Sequence, residues 1–321
     1  MIHRRYLVAA AAAAALGGHA FAQGTWPSRP VRIILPVPPG GAFDATVRMI
    51  QEPLSRLLGQ PVVVENRGGG GGVPAADAVI RSSDGYSFGL IGSSHAANAT
   101  LMQGLPFDPV ADIAPVNLLA RWPNVISVHP STPWRTLAEL VAAAKARPGS
   151  ISYGSPGIGL SQHLAGELLK IRAGVDITHI PYRGAGPALN DGVAGHVPMV
   201  VTALASTAPQ VRAGRLRALA VTGPVRAPLL AEVPTVAESG FPGFDVSEWI
   251  GIMGPAATPP DVVGRLNAAL TAAMRDPDVA RRLEEAGIEV LTSTPAAFGD
   301  FVRAQVQTLG NIIRTAGIRA E

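Results

Sequence analysis

From residue 31 onward, short runs of β-branched and other apolar residues alternate with stretches whose apolar side chains recur at helical spacing. This alternation constrains the chain more than any single motif, because strands separated by helices build α/β architecture with largely parallel sheets. The strand candidates are 31–35, 62–65, 87–91, 125–128, 151–153, 178–181, 197–202 and 216–222. With 47% hydrophobic and 15% charged residues, the chain has enough apolar surface for a packed core. A single core stops growing at roughly 250–300 residues. At 321 residues, two lobes are expected.

Helix signals fill the gaps between strands. A helix is predicted after Asp44, with Val47, Ile50, Leu54, Leu57 and Leu58 on one face and Pro53 as a kink or break. Thr136 with Glu139, and Thr235 with Glu238, have capping-box spacing, and Thr258 before Pro259, Pro260 and Asp261 marks another start. After Thr294 and Pro295, the residues Phe298, Phe301, Val302, Gln305, Val306, Leu309 and Ile313 predict a long amphipathic C-terminal helix.

The first 22 residues read as an export leader. Arg4 and Arg5 precede an apolar run from Leu7 to Leu16, and Ala20, Phe21 and Ala22 form a small-x-small cleavage site. The run is too short for a membrane span of roughly 20 residues, so a soluble periplasmic product starting at Gln23 is expected. Without cysteine there is no lipid anchor, disulfide, thiol nucleophile or cysteine-ligated zinc. Removing Arg4 and Arg5 takes the formal net charge from +3 to +1, and the remaining cations are scattered, so nucleic acid is not an expected partner. Crossings between lobes are expected at 119–123 and 238–248, which would make lobe 1 from 23–122 and 245–321 and lobe 2 from 123–244.

Glycine-rich turns between strand and helix carry the functional signal. The first contains Gly40, Gly41, Ala42, Phe43 and Asp44, and the second runs from Ser155 through Gly157 and Gly159 to Ser161, an expected N-cap. Glycines let backbone amides turn toward an anion at a helix N-terminus, so each turn is either a tight connection or half of a ligand site. A third turn offers Ser93, Ser94, His95 and Asn98 at a strand end. Thr202, closing the 197–202 strand, joins the candidates. The fourth, Gly68 to Gly72, reads as structural.

Nucleotide motifs fit poorly. Neither Lys145 nor Lys170 follows a glycine cluster, and Gly154, Gly157 and Gly159 reverse the dinucleotide spacing. Gly159, Leu160 and Ser161 begin like a nucleophile elbow, but His163 stands where the closing glycine belongs. A secreted hydrolase using Ser161 or His163 is therefore the lesser alternative. His163 and Glu167 read as a solvated or inter-loop polar pair, and no cofactor or metal is called for.

Taken together, these segments resemble the Bug receptors, the TctC-like substrate-binding proteins of tripartite tricarboxylate transporters. The resemblance rests on Pro36, Pro38, Pro39, Gly40, Gly41 and Asp44, on Val63 to Arg67, on Asp84, Gly85 and Tyr86, and on His129, Pro130 and Ser131. It continues through Tyr153, Gly154 and Ser155, His163 to Glu167, Pro181 to Gly184, Leu216 to Thr222 and Val233 to Glu238. It covers essentially the whole mature chain. Gly68, Pro198 and Phe43 depart from the pattern.

The resemblance implies a type II periplasmic-binding-protein fold, two α/β lobes with a hinge and a ligand between them, and no catalysis. It also implies that the Gly40-to-Asp44 turn holds a ligand carboxylate, with the Ser155-to-Ser161 turn assisting, often through ordered water; His163 is a further ligand-binding candidate. A monomer is expected, delivering a small organic carboxylate to membrane transporter subunits or informing a signalling partner. Identity would then be read by Phe43, unless its ring faces the core, and by Ser93, Ser94, His95 and Asn98.

Overall fold

The computed structural model describes residues 26–319. The leader at 1–22 lies outside them. Among the described residues, eleven strands form two sheets. The first joins β1 (Val31–Leu35), β2 (Val62–Asn66), β3 (Ser87–Gly92), β4 (Ile113–Trp122), β10 (Glu248–Pro255) and β11 (Glu289–Val290) in the order β11-β4-β10-β3-β1-β2. The second joins β5 (Asn124–Val128), β6 (Ser152–Ser155), β7 (Thr178–Pro181), β8 (Met199–Ala203) and β9 (Arg217–Val221) in the order β7-β6-β8-β5-β9.

The expectation of largely parallel sheets needs correction. β1 pairs in parallel with β2 and β3, and β6 with β7 and β8. β10 is antiparallel to both β3 and β4, β11 to β4, and β5 to β8 and β9. The antiparallel strands are those that carry the chain from one sheet to the other, or that pair with them. β4 runs through Trp122, so only Pro123 separates it from β5, and the stretch read as a crossing is mostly strand. On the return, the Val246 amide donates to the Thr222 carbonyl two residues before β10 begins.

β4 and β10 were absent from the sequence candidates. Pro115, Asn117 and Arg121 interrupt β4, and Gly251 and Gly254 interrupt β10. Gly251 is there for close approach, since a Cβ would lie 2.2 Å from the Phe298 ring of α10 (Pro295–Ala316), which rests directly on the strand.

α1 (Ala42–Leu58) begins three residues earlier than expected and passes through Pro53 unbroken. Val47, Ile50 and Leu54 are fully buried, each contributing roughly 1.5–3 kcal/mol of transfer free energy. Leu57, assigned to that face, is 50% exposed instead. α8 (Pro260–Met274) and α9 (Pro277–Glu285) share the α1 side of the first sheet. α2 (Val73–Ile80), α3 (Ser93–Leu101) and α10 contribute to the other core cluster.

The second sheet carries α4 (Leu137–Ala146), α5 (Ser161–Ala173), α6 (Ala185–Ala194) and α7 (Leu204–Arg212). Thr136 caps α4 as its spacing predicted, its hydroxyl accepting from the Glu139 amide. Thr235 and Glu238 make the same reciprocal bonds, 2.7 and 3.0 Å, yet close a turn with no helix behind it. The apolar cluster under α2, α3 and α10 runs without interruption into that of α4 and α5, so α10 braces both sheets.

Candidate functional site

At the end of β1 the chain turns through Gly40 and Gly41 into α1. Gly41 is the N-cap and no side chain caps the helix. The first intrahelical bond is from the Ala45 amide to the Gly41 carbonyl, so the amides of Ala42, Phe43 and Asp44 have no carbonyl behind them within the helix. A Cβ on Gly40 or Gly41 would meet nothing within 4 Å, so this turn faces open space.

Asp44 does not offer its carboxylate outward. Buried, it accepts from the Gly40 amide at 3.0 Å, from Arg48 Nε at 2.9 Å and from Asn66 Nδ2 at 2.9 Å. Burial pushes its carboxyl up, but the Arg48, Asn66 and Gly40 hydrogen bonds outweigh that and hold it below the ordinary aspartate value. Its role is to clamp the turn. The Phe43 ring is half-buried, edge-on to Trp122 at 5.6 Å, and so close to Gly92 that a Cβ there would lie 2.7 Å from the ring. The ring therefore packs on the first sheet's core while standing in the turn itself.

The second turn is organised by two histidines. Ser155 Oγ lies 2.7 Å from His179 Nε2, and the Gly159 amide donates to His163 Nδ1 at 3.1 Å. The imidazoles stack at 3.9 Å between centroids. Burial and then Lys170 hold His163 down to about 4, while burial, followed by His163, takes His179 to about 3. Both are neutral at pH 7, and His163 must be, since its Nδ1 accepts. The His163–Glu167 pair, 3.8 Å apart, is buried where a solvated or inter-loop pair was expected. Leu160 is the N-cap, and Ser161 is the first helical residue of α5.

The two sheets meet at Glu248, the first residue of β10. Its carboxylate is buried and takes four donors. Ser93 donates from its amide at 2.9 Å and its hydroxyl at 2.7 Å, Ser161 Oγ at 2.9 Å and the Trp249 amide at 3.2 Å. Asn124 Nδ2 supports Ser161 Oγ and the Val246 carbonyl, each at 3.2 Å. Burial pushes the Glu248 carboxyl up, against the pull of the Ser93, Ser161 and Trp249 donors. Two candidate serines, 68 positions apart by their numbers, thus converge on an acid that sequence reasoning did not nominate. The available signal was a lone charge opening an otherwise apolar run. Asn124, Trp122 and His179 also went unnamed.

The remaining candidates spend their polar atoms within their own sheets. His95 bonds the Pro109 carbonyl at 2.8 Å and stacks on Phe107. Asn98 donates to the Gly71 carbonyl, and Thr202 and Thr207 share a hydrogen bond of 2.6 Å. Ser94 lines a crevice of only 10 Å³ with His95 and Asn98, room for about one water. A separate cavity of 340 Å³ lies by Pro123 and Ile288, beside the β11 and β4 end of the first sheet. β4 and β1 are three strand spacings apart, roughly 14 Å.

Chemically, the assembly offers backbone amides to an anion and holds no primed nucleophile. Ser161 donates to Glu248 and His163 accepts from Gly159, so no hydrogen bond joins Ser161 to His163 among the described residues. Nor do those residues contain a group of three or more side chains suited to a metal, or a helix long and apolar enough to cross a membrane.

The family model described as "Tripartite tricarboxylate transporter family receptor" matches residues 46–318. The chain belongs to this receptor family. BugT of Bordetella pertussis is 35% identical over 92% of this chain and 91% of its own length. An R. palustris protein solved with adipate superposes with a TM-score of 0.81 at 35% identity, covering 92% of this chain and 99% of that one. MatC from Rhodopseudomonas palustris with bound malate gives 0.78 at 30% identity, covering 90% and 100%. The two-lobed periplasmic-binding-protein fold and the family membership implied by the resemblance are thus established for this receptor. The family and its solved relatives are solute-binding proteins.

Proposed function

We propose that this receptor works outside the cytoplasm, takes a small organic carboxylate between its lobes and passes it to a membrane transporter of the tripartite tricarboxylate type. The observation that carries the reading is the Gly40-to-Asp44 turn, whose free amides open toward space at a helix N-terminus while Asp44 holds them in position. The adipate and malate held by two relatives support the ligand class. Ser155, Gly157 and Ser161 face this turn from lobe 2 in the reading, and Phe43 contacts the body of the ligand. Lobe 1 comprises 23–122 and 245–321, lobe 2 comprises 123–244, and the leader is cleaved after Ala22. The mature protein acts as a monomer.

The test is a thermal-shift screen of carboxylates followed by calorimetry, on protein refolded to remove carried-over ligand. A ligand that binds only the native form stabilises it by RT ln(1 + [L]/Kd), about 2.7 kcal/mol at one hundred times Kd. Small-angle scattering with the same ligand should give a smaller radius of gyration as the lobes close. Melting curves left unmoved by mono-, di- and tricarboxylates alike would refute the reading.

A further inference from the structure

We propose that the 340 Å³ cavity beside the crossings is a second ligand site, built for an uncharged, apolar molecule with one hydrogen-bond donor. It is separate from the glycine turns, and the inference stands whether or not those turns hold a carboxylate.

The strand order places it. In the first sheet β4 and β10 meet the crossings, with β3 and β1 on one flank and β11 on the other. In the second, β5 has β8 and β6 on one flank and β9 on the other. The two ligand turns follow β1 and β6. The cavity takes its walls from the opposite flank: α9 and the start of β11 from the first sheet, the segment 223–228 after β9 and the start of α7 from the second. Pro123 and Ser247, one on each crossing, also line it. The two sides already touch, since a Cβ on Gly287 would lie 2.7 Å from Leu229 and 2.9 Å from Leu204. A molecule held between these walls bridges the two sheets beside the hinge and resists any rotation that parts them.

The lining sets the chemistry. Leu204, Pro224, Val225, Pro228 and Ile288 make it largely hydrocarbon, and Val225 is 63% exposed at the opening. Apolar cavities of about 150 Å³ already take up benzene, and small-molecule sites run from roughly 300 to 1,000 Å³. Both arginines on the lining have acidic partners: Arg121 pairs with Glu289 at 2.7 Å and Arg226 with Glu238 at 3.0 Å. Glu284 adds a further acid on the same lining. An anion therefore meets paired cations and an extra negative charge, and its desolvation is not repaid. Ser247 donates its own hydroxyl hydrogen to Asp245 at 2.8 Å. Its oxygen retains acceptor capacity for an N–H or O–H of the ligand.

The experiment is a fluorescence titration at pH 7.5 with N-phenyl-1-naphthylamine, an uncharged fused-ring amine with one N–H whose emission rises in apolar surroundings. The wild type should saturate at one molecule per chain with a Kd below about 50 µM. Val225→Asp puts a charge at the opening from an exposed position, and Ala280→Trp fills the space from a half-buried position on α9. Each should weaken binding at least about tenfold with an unchanged circular dichroism spectrum. 1-Anilinonaphthalene-8-sulfonate, the same skeleton with a negative charge, should displace the amine only at about tenfold higher concentration or more. A wild type without saturable binding overturns the inference, as does an unchanged Kd in a folded variant, which would put the amine elsewhere. Equal displacement by the sulfonate overturns the preference for an uncharged ligand. Since Val225 is exposed, Val225→Asp decides alone if Ala280→Trp fails to fold.

Discussion

Replacing Phe43 by alanine tests the point where core packing and ligand contact coincide. Truncating a fully buried phenylalanine costs about 3–5 kcal/mol, including the cavity left behind. This ring is half-buried, so roughly half of that, about 2 kcal/mol, is expected from burial. Its edge-on contact with Trp122 adds about 0.5–1.5 kcal/mol. Phe43→Ala should therefore lower the free energy of unfolding in urea by about 2.5–3.5 kcal/mol. Because the ring also stands beside the open amides of the first turn, calorimetry across a set of aliphatic and aromatic carboxylates should show a changed ranking. Phe43→Leu, which restores bulk without the aromatic edge, should recover most of the stability and only part of the ranking. If Phe43→Ala costs about 4 kcal/mol or more, as a core truncation does, and leaves the ranking intact, the ring is a core residue and the ligand contact is wrong. A cost under about 1 kcal/mol would refute the packing instead.

Asp44→Asn keeps the shape of the first turn but removes the charge that Gly40, Asn66 and Arg48 satisfy. It should cost about 1.5–3 kcal/mol in urea unfolding and weaken carboxylate binding about tenfold by calorimetry, since the amides lose their clamp. The stacked histidines predict an acid limb in stability. Both pKa values lie below the unfolded value, so between pH 6.5 and about 4 the unfolded chain binds more protons and stability falls as pH falls. Glu248, pushed the other way by burial, acts with opposite sign. The melting temperature of the wild type should drop from pH 7 to 4.5 more steeply than that of a His163→Gln/His179→Asn double variant, and parallel curves would remove the histidines from the account.

Much of the fold was legible because most strands are continuous apolar runs between turn residues. Val31–Leu35 and Thr178–Pro181 fall on their predicted limits. β4 and β10 were not legible, since each is broken by residues whose reason lies elsewhere in the structure: Gly251 makes room for Phe298, and nothing near it in sequence announces that ring. The Thr235 box shows the same principle in reverse, a correct local bond pattern with no apolar face behind it to sustain a helix. At the site, the glycine turns could be read because backbone geometry is written locally. The partner of Ser161 is 87 residues away and that of Ser93 is 155, so their convergence on Glu248 is a property of the sheet and not of any window of sequence.

The placement of β10 between β3 and β4 has a consequence for how the chain acquires its structure. All five strands of the second sheet lie in one continuous stretch, from Asn124 to Val221, and need nothing from outside it to pair. The first sheet has β1, β2, β3 and β4 early, but the strand that joins β3 to β4 comes only after the whole second sheet has been made. Contacts of such long sequence separation form slowly, because loop closure must precede any gain from pairing. The second sheet should therefore gain protected amides before the first. Pulse-labelled hydrogen exchange during refolding checks the order: protection at Ile126 and Val200 should precede protection at Ile252, and simultaneous protection would mean that the two sheets condense as one event.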